Sequence, residues 1–391
     1  MKTRLFLMLL FISSFSFSQN WSDVGALKFT NFAEDARMVT HPTTGEPYII
    51  YTDIQDSKKP FVLRFNGTSW VNVGSGAIIN FEAKMINIAF NPSNNELNAV
   101  FKNSDTGKVD LYKFDGTNWV AIATSLTDSE FFIDDTRLQI FYDASNAIHI
   151  LGNHLKTTGN KRMARYFVNA QSSWAYETSL FVIGDSTATA VSEDEYLLTY
   201  SSVVYQYTMT GTGIFSNSSF SNSLIKESTS IDGGDYWAAT GTHPSFSKVY
   251  VSHKNESNFT QPNNTETNID YLIDLEKDNT LNRLFLMYSD SNDELQIQRY
   301  TNTIWNTILP TNIDASTSNF FSQIKFNETD GSLYLMFLDG GKLSVKKYQP
   351  IQPLAKYYVN ANATSGDGSG SSWANAATDL NYVLNNSGAN T

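Results

Sequence analysis

Carboxylates are the residues of this 391-residue chain best placed to do chemistry. They fall in clusters: Glu34 and Asp35, Glu82, Asp134 and Asp135, Asp185, Asp232 and Asp235, and Asp270. Each cluster stands just ahead of the corresponding strand in successive repeats of the sequence. If the clusters converge, they make a ring able to bind a cation or the hydroxyls of a sugar, and a close pair could serve as general acid and base. Carboxylates crowded on one axis repel each other, which raises the pKa of some and favours a bound divalent ion. Calcium is therefore the one candidate cofactor, with Glu34, Asp35, Glu82, Asp134, Asp135, Asp185, Asp232 and Asp270 as its candidate ligands. The competing reading is that these are turn formers, partly neutralised by Arg37 and Arg137 beside two of the clusters. No catalytic residue is assigned. The five histidines fit no His-Glu-x-x-His pattern, and no Gly-x-Ser-x-Gly or phosphate loop occurs. His41 and His243 hold the repeat position that Asn91 and Asn327 hold elsewhere, which marks a turn residue rather than a ligand. His149 and His154 span a strand end and suit no single metal-binding face.

The elements that must position these groups come from a repeat. Arg64-Phe65-Asn66-Gly67-Thr68-Ser69-Trp70 returns as Lys113-Phe114-Asp115-Gly116-Thr117-Asn118-Trp119, with the two tryptophans 49 positions apart. Asn-Gly and Asp-Gly tolerate positive φ at both centres of a type I′ turn, so each copy reads as a tight two-residue hairpin. A second recurrent piece is a turn followed by a strand ending at Tyr51, Phe101, Leu151, Tyr200, His253, Tyr288 and Phe337. Most steps are near 50 residues, but the step from His253 to Tyr288 is only 35. Trp174 and Trp305 close later units, Phe215 replaces the tryptophan in the fourth, and the fifth is eroded. The last unit stops without a tryptophan strand, and Trp21-Ser22-Asp23-Val24-Gly25 matches Trp70-Val71-Asn72-Val73-Gly74. The N-terminal strand can therefore complete the last unit.

This pattern predicts an all-β chain: a seven-bladed β-propeller over residues 19–350, closed by the N-terminal strand. Closure removes an exposed sheet edge. The tryptophans are read as packing between blades rather than as a sugar-stacking row. The acid clusters would then meet around the mouth of the central channel. The repeat resembles those of exported propeller proteins of Bacteroidetes-type bacteria, a group defined by architecture with no common catalytic residues. The kelch double glycine and the WD40 signature are absent, and Asp115 to Trp119 is too short for a sialidase Asp-box. After a stiff linker at 351–356, Lys356-Tyr357-Tyr358-Val359-Asn360, the glycine-rich Gly366 to Trp373 and Asp379 to Leu384 resemble the opening of a pectate-lyase-like right-handed β-helix. That resemblance implies a truncated β-helix domain over 357–391, with the remainder lying beyond this sequence.

Lys2 and Arg4, the apolar run Leu5 to Ile12 and the small residues Ser16 and Ser18 read as a secretory signal peptide over 1–18. No second apolar stretch is long enough to span a bilayer. Removing the two basic residues from a total of 27 leaves 25 against 39 acidic ones, a net charge of −14, which repels nucleic acid and anionic lipid. Zero cysteines exclude disulfides and thiol chemistry. Several Asn-x-Ser/Thr sequons, among them Asn66, Asn217, Asn255, Asn258, Asn263 and Asn327, read as turn chemistry. The expectation is an exported, monomeric protein at the cell or outer-membrane surface. Its propeller binds or scaffolds a polysaccharide or a surface protein and is not itself an enzyme. The alternatives are an accessory domain of a carbohydrate-active lyase or hydrolase with its active site in the absent β-helix, or a propeller that is itself a glycosidase.

Overall fold

The computed structural model describes residues 21–126, chiefly the strands between 131 and 253, most of 273–349 and most of 358–380. A first strand, β1 (Trp21–Asp23), precedes two complete four-stranded sheets. The first sheet holds β2 (Ala33–Thr40), β3 (Pro47–Asp53), β4 (Lys59–Phe65) and β5 (Trp70–Asn72) in chain order. The second holds β6 (Ala83–Phe90), β7 (Leu97–Asn103), β8 (Val109–Phe114) and β9 (Trp119–Ala123). Every paired strand in these sheets is antiparallel. A third sheet runs from Phe131–Ile133 to Trp174–Thr178, a fourth from Ala188–Ala190 to Ile214–Ser219, and a sixth from Ile273–Asp278 to Ile304–Thr307.

The last sheet joins the two ends of the described chain. Its order is β1, Lys342–Tyr348, Ser332–Asp339, Gln323–Asn327, so the N-terminal strand is the outermost strand of a C-terminal sheet. Trp21 faces Tyr348, Ser22 faces Lys347 and Asp23 faces Lys346. Inner strands follow one another from sheet to sheet, and Gln323–Asn327 of the last sheet packs beside β2 of the first. That circuit of meandering sheets is β-propeller architecture.

The core lies between sheets rather than within one. Ile49, Tyr51 and Met38 of the first sheet pack with Met336, Tyr334 and Val345 of the last. Ile50 and Val62 pack with Ile86, Ile88 and Phe101 of the second. The middle strands are buried along nearly their whole length, because a blade inside a stack presents both faces to neighbours. Their runs, such as Pro47 to Asp53, are therefore apolar rather than strictly alternating.

Two expectations about local geometry are corrected. Phe65 pairs with Trp70 and Phe114 with Trp119, so each hairpin loop has four residues, not two. Asn66 and Asp115 keep negative φ, and only Gly67 and Gly116 turn positive, at 91° and 99°. The side chain replaces the type I′ turn: Asn66 Oδ1 accepts from the N–H groups of Thr68 and Ser69 at 3.0 and 2.9 Å. Asp115 Oδ1 accepts from Thr117 and Asn118 at 2.8 and 2.7 Å. These bonds hold the exposed Asp115 carboxyl below its usual range.

The second correction concerns the fifth sheet. Its described strands are Leu224–Ile231, Asp235–Thr242 and Tyr250–His253, paired in that order. The strand ending at His253 is thus the third of its sheet, and Asp235–Thr242 takes the second place. This accounts for the irregular 35-residue step, since His253 does not correspond to Tyr288.

The tryptophans lock neighbouring sheets together. Trp70 Nε1 donates to the carbonyl of Val24 at 2.8 Å, Trp119 Nε1 to Val73 at 2.8 Å, and Trp21 Nε1 to Ile308 at 2.5 Å. Each acceptor lies three residues after the tryptophan of the preceding sheet: Trp21 before Val24, Trp70 before Val73, Trp305 before Ile308. Gly74 follows Val73 at φ +94°, and a Cβ there would come within 3.2 Å of Trp119 Cδ1. Gly74→Ala is therefore expected to destabilise the chain by roughly 1–3 kcal/mol, from left-handed strain plus displacement of the indole. Chemical denaturation measures this, and an unchanged midpoint would remove Gly74 from the lock.

In the segment 358–380, Val359 makes a parallel bridge to Ala377. Asn360 N donates to Ala377 O at 2.8 Å, and Ala377 N donates to Tyr358 O at 2.9 Å. Residues 1–18, read above as a signal peptide, residues 351–356, read as a linker, and residues 381–391 lie outside the described residues.

Candidate functional site

Three of the eight predicted metal ligands are described. Glu34 and Asp35 sit within β2, at a bulge where Ala33 and Ala36 face Asp53 and Tyr51 with the register shifted between them. Glu82 immediately precedes β6. All three stand near cations. Lys58, in the β3–β4 connection, places Nζ 2.8 Å from Glu34 Oε1 and 4.0 Å from Glu82 Oε1. The Glu34 hydrogen bond holds the Lys58 ammonium above the ordinary lysine range. Arg37 Nη1 lies 3.1 Å from Asp35 Oδ1. Among the described residues, no three His, Asp or Glu side chains group as a metal-holding set. Asp134, Asp135, Asp185, Asp232 and Asp270 lie outside the described residues. Asp235 opens the second strand of its sheet, facing Ile231, so it does not stand ahead of an inner strand.

The inner strands carry polar residues that sequence reading passed over. Asp274 Oδ1 accepts from its own neighbour Leu275 N at 3.0 Å, and its Oδ2 accepts from Ile324 N of the next sheet at 2.8 Å. Gln323 Oε1 accepts from Met38 N at 2.8 Å, which joins the last sheet to the first. Asn87 Nδ2 donates to Leu138 O at 2.7 Å, which joins the second sheet to the third. Glu276 receives Lys325 Nζ at 2.8 Å and Phe326 N at 3.2 Å. Burial alone would lower the Lys325 pKa, but Glu276 and Asp274 bring it above the ordinary value. These side chains fasten one inner strand to the next. Their signal is a polar residue at every second position of Ile273-Asp274-Leu275-Glu276, where the carboxylates accept from backbone N–H groups of an inner strand with which no ladder is formed.

His41 is a turn residue, as its repeat position implied. Its Nδ1 accepts from Thr43 N and Thr44 N at 3.1 and 3.2 Å. Asn91 Oδ1 and Asn327 Oδ1 make the same cap on Ser93 N and Thr329 N. His243 lies outside the described residues.

On the same edge as these hairpins, Tyr48 faces Arg64 across β3 and β4, and Arg64 Nη1 lies 3.5 Å from Glu46 Oε2. Burial pushes the Tyr48 phenol above its usual range against the pull of Arg64. Phe90, from the next sheet, stands edge-on to Tyr48 with ring centroids 5.0 Å apart. The arrangement sets a charged pair beside buried aromatic rings where the first and second sheets meet.

No family model matches the sequence, and no curated protein matches it. Solved structures do share the fold. The BP39L lectin from Burkholderia pseudomallei is 9% identical, with 81% of this chain and 96% of the lectin covered at a TM-score of 0.55. A catalytically inactive virginiamycin B lyase from Staphylococcus aureus, solved with quinupristin, is 12% identical over 84% of this chain and 98% of the lyase, at 0.52. A puromycin-hydrolysing peptidase of Mycobacterium tuberculosis is 8% identical over 82% of this chain and 55% of the peptidase, also at 0.52. A lectin, a lyase and a peptidase on one architecture mean that function must be argued from sites.

Proposed function

We propose that this chain is an exported surface protein whose seven-bladed propeller is a non-catalytic binding or scaffold module for glycans or protein partners. The observation that carries this reading is the indole lock. The indole N–H groups of Trp21, Trp70 and Trp119 all bond to the backbone of the preceding sheet, so the ring is a stiff frame. Recognition is then left to the loops at its two ends. The likeness in fold to a lectin supports glycans as the first partner class to test. Export rests on the leader-like residues 1–18 and on the propeller repeat's resemblance to exported proteins. A second reading, an accessory domain ahead of a carbohydrate-active β-helix, draws on the parallel Val359–Ala377 bridge, because a β-helix pairs its rungs in parallel. The test is to screen the protein without residues 1–18 against immobilised glycans and to assay it for polysaccharide breakdown. Binding without turnover is expected. Turnover by this chain, or binding to no glycan and no surface protein, would overturn the reading.

A further inference from the structure

We infer that the hairpin from His41 to Glu46 is an acid-sensitive clasp: protonation of His41 releases it and loosens the junction between the last sheet and the first. Two backbone N–H groups, those of Thr43 and Thr44, converge on His41 Nδ1 at 3.1 and 3.2 Å. A ring nitrogen accepts only while it carries no proton. The imidazolium therefore cannot make this cap, and it would set one N–H against two others. The equivalent hairpins lack this weakness. Asn91 and Asn327 make the cap with an amide oxygen, which does not titrate. Asp278 makes it with a carboxylate that Arg283 already neutralises.

The hairpin is gripped from both sides. Gly45 O accepts from Asn327 Nδ2 and from the Tyr334 hydroxyl, both at 3.3 Å. Thr329 Oγ1 donates to Pro42 O at 3.5 Å. From the second sheet, Asn95 Nδ2 donates to Thr43 Oγ1 at 3.1 Å. Gly45 holds φ +70°, and a Cβ there would stand 2.6 Å from Asn327 Nδ2, so the two hairpins are in close contact. The bonds to the last sheet cross the junction at which the circuit of sheets closes.

The His41 ring stands 4.9 Å from that of Phe90 and 6.2 Å from that of Tyr48. Aromatic faces attract an imidazolium, which favours the protonated, uncapped ring over the cap. The charged groups on the surrounding elements are the pairs Glu46–Arg64 in the same sheet, Glu96–Lys113 in the second and Asp330–Lys347 in the last, with the exposed Glu328 beside Asn327. Against burial, which would raise it, Lys347 and Ser332 hold the Asp330 carboxyl below its usual range. Burial holds the Tyr48 phenol above its own. Neither of these two changes charge between about pH 8 and 5, the interval in which an imidazole gains its proton. The closed hairpin binds no proton at Nδ1 and the open one does, so the clasp weakens as pH falls through that interval.

Amide hydrogen exchange followed by NMR tests this at about pH 7.5 and about pH 5. At each pH the rate in the parent is divided by that in His41→Asn, so the intrinsic pH dependence of exchange cancels. The Gly45 amide bonds to His41 O at 2.9 Å. It is expected to exchange about tenfold faster in the parent than in the variant at the lower pH, and equally fast at the higher one. The Asn95 amide, bonded to Asn91 O at 2.8 Å in the second hairpin, is the control and should show no difference. A ratio near one for Gly45 at both pH values, or one raised equally at both, would overturn the clasp. Should His41→Asn fail to fold, Asn91→His decides. It should install the same sensitivity in the second hairpin, so that Asn95 exchanges about tenfold faster than in the parent at the lower pH only. Absence of that acid-specific rise overturns the proposal.

Discussion

Replacing Trp21 by alanine is expected to destabilise the whole propeller by about 3 kcal/mol or more, the cost typical of truncating a packed tryptophan. Trp21 lies in a three-residue strand at the outer edge of its sheet, where most substitutions would be harmless. Three contacts set it apart. Its ring lies 5.2 Å from that of Tyr348, its indole N–H bonds to Ile308 O, and its side chain packs on the core between the sixth and last sheets. Trp21→Phe keeps most of the packing but strands the Ile308 carbonyl, so a loss of about 1 kcal/mol is expected. Deleting residues 19–25 should exceed both. It removes β1, uncovers Lys342–Tyr348 as an open edge, and also takes away the Val24 N–H that bonds to Val345 O at 3.0 Å. An unpaired edge invites intermolecular strand addition, so the deleted protein should aggregate with rising concentration. Urea denaturation and light scattering measure the two effects. A Trp21→Ala protein as stable as the parent would mean that β1 is a dispensable flap.

The strand carrying that prediction was legible in the sequence because Trp-x-x-Val-Gly states a burial pattern and a hydrogen-bond geometry at once. The hairpin loops were legible only as turns. Asn66 and Asp115 occur in both type I′ turns and side-chain-capped four-residue loops, and loop length depends on where Phe65 and Trp70 pair. In the fifth sheet the His243-Pro244 dipeptide imitates the turns at His41 and Asn91, so in sequence the third strand has the signature of a second. The acids at Glu34 and Glu82 were visible, but their shared partner Lys58 was not, since it belongs to a connection distant in sequence from both. The inner-strand residues Asp274, Glu276 and Lys325 were missed for the same reason. Their role depends on a neighbour about fifty residues away, and a polar residue in a strand looks solvent-facing until the next sheet is in place.

The buried pair of the sixth sheet gives the second large effect. Asp278 and Arg283 face each other across the hairpin between Ile273–Asp278 and Arg283–Ser289, and they are 1% and 4% exposed. Arg283 Nε and Nη2 donate to Asp278 Oδ2 at 2.8 and 2.5 Å, while Asp278 Oδ1 accepts from Leu281 N at 3.0 Å. Burial pulls the Arg283 guanidinium below its ordinary value against the attraction of Asp278, yet an arginine remains charged in a folded protein. Arg283→Ala therefore leaves an unmatched carboxylate in the core, and a loss of about 3–5 kcal/mol is expected. Removing both charges should recover most of it. The better second change is Asp278→Asn rather than an apolar residue, because Leu281 N still needs an acceptor. Asn91 and Asn327 already fill that role at the equivalent position of their own sheets. Asp278→Asn with Arg283→Met is thus expected to fold within about 1.5 kcal/mol of the parent, since hydrophobic replacement of a buried pair is often neutral or stabilising. Denaturation midpoints of the two single variants and the double variant complete the cycle, whose coupling energy isolates the pair from its surroundings. A mild Arg283→Ala, or a double variant no more stable than the single, would show that solvent reaches Asp278 and that its charge needs no partner.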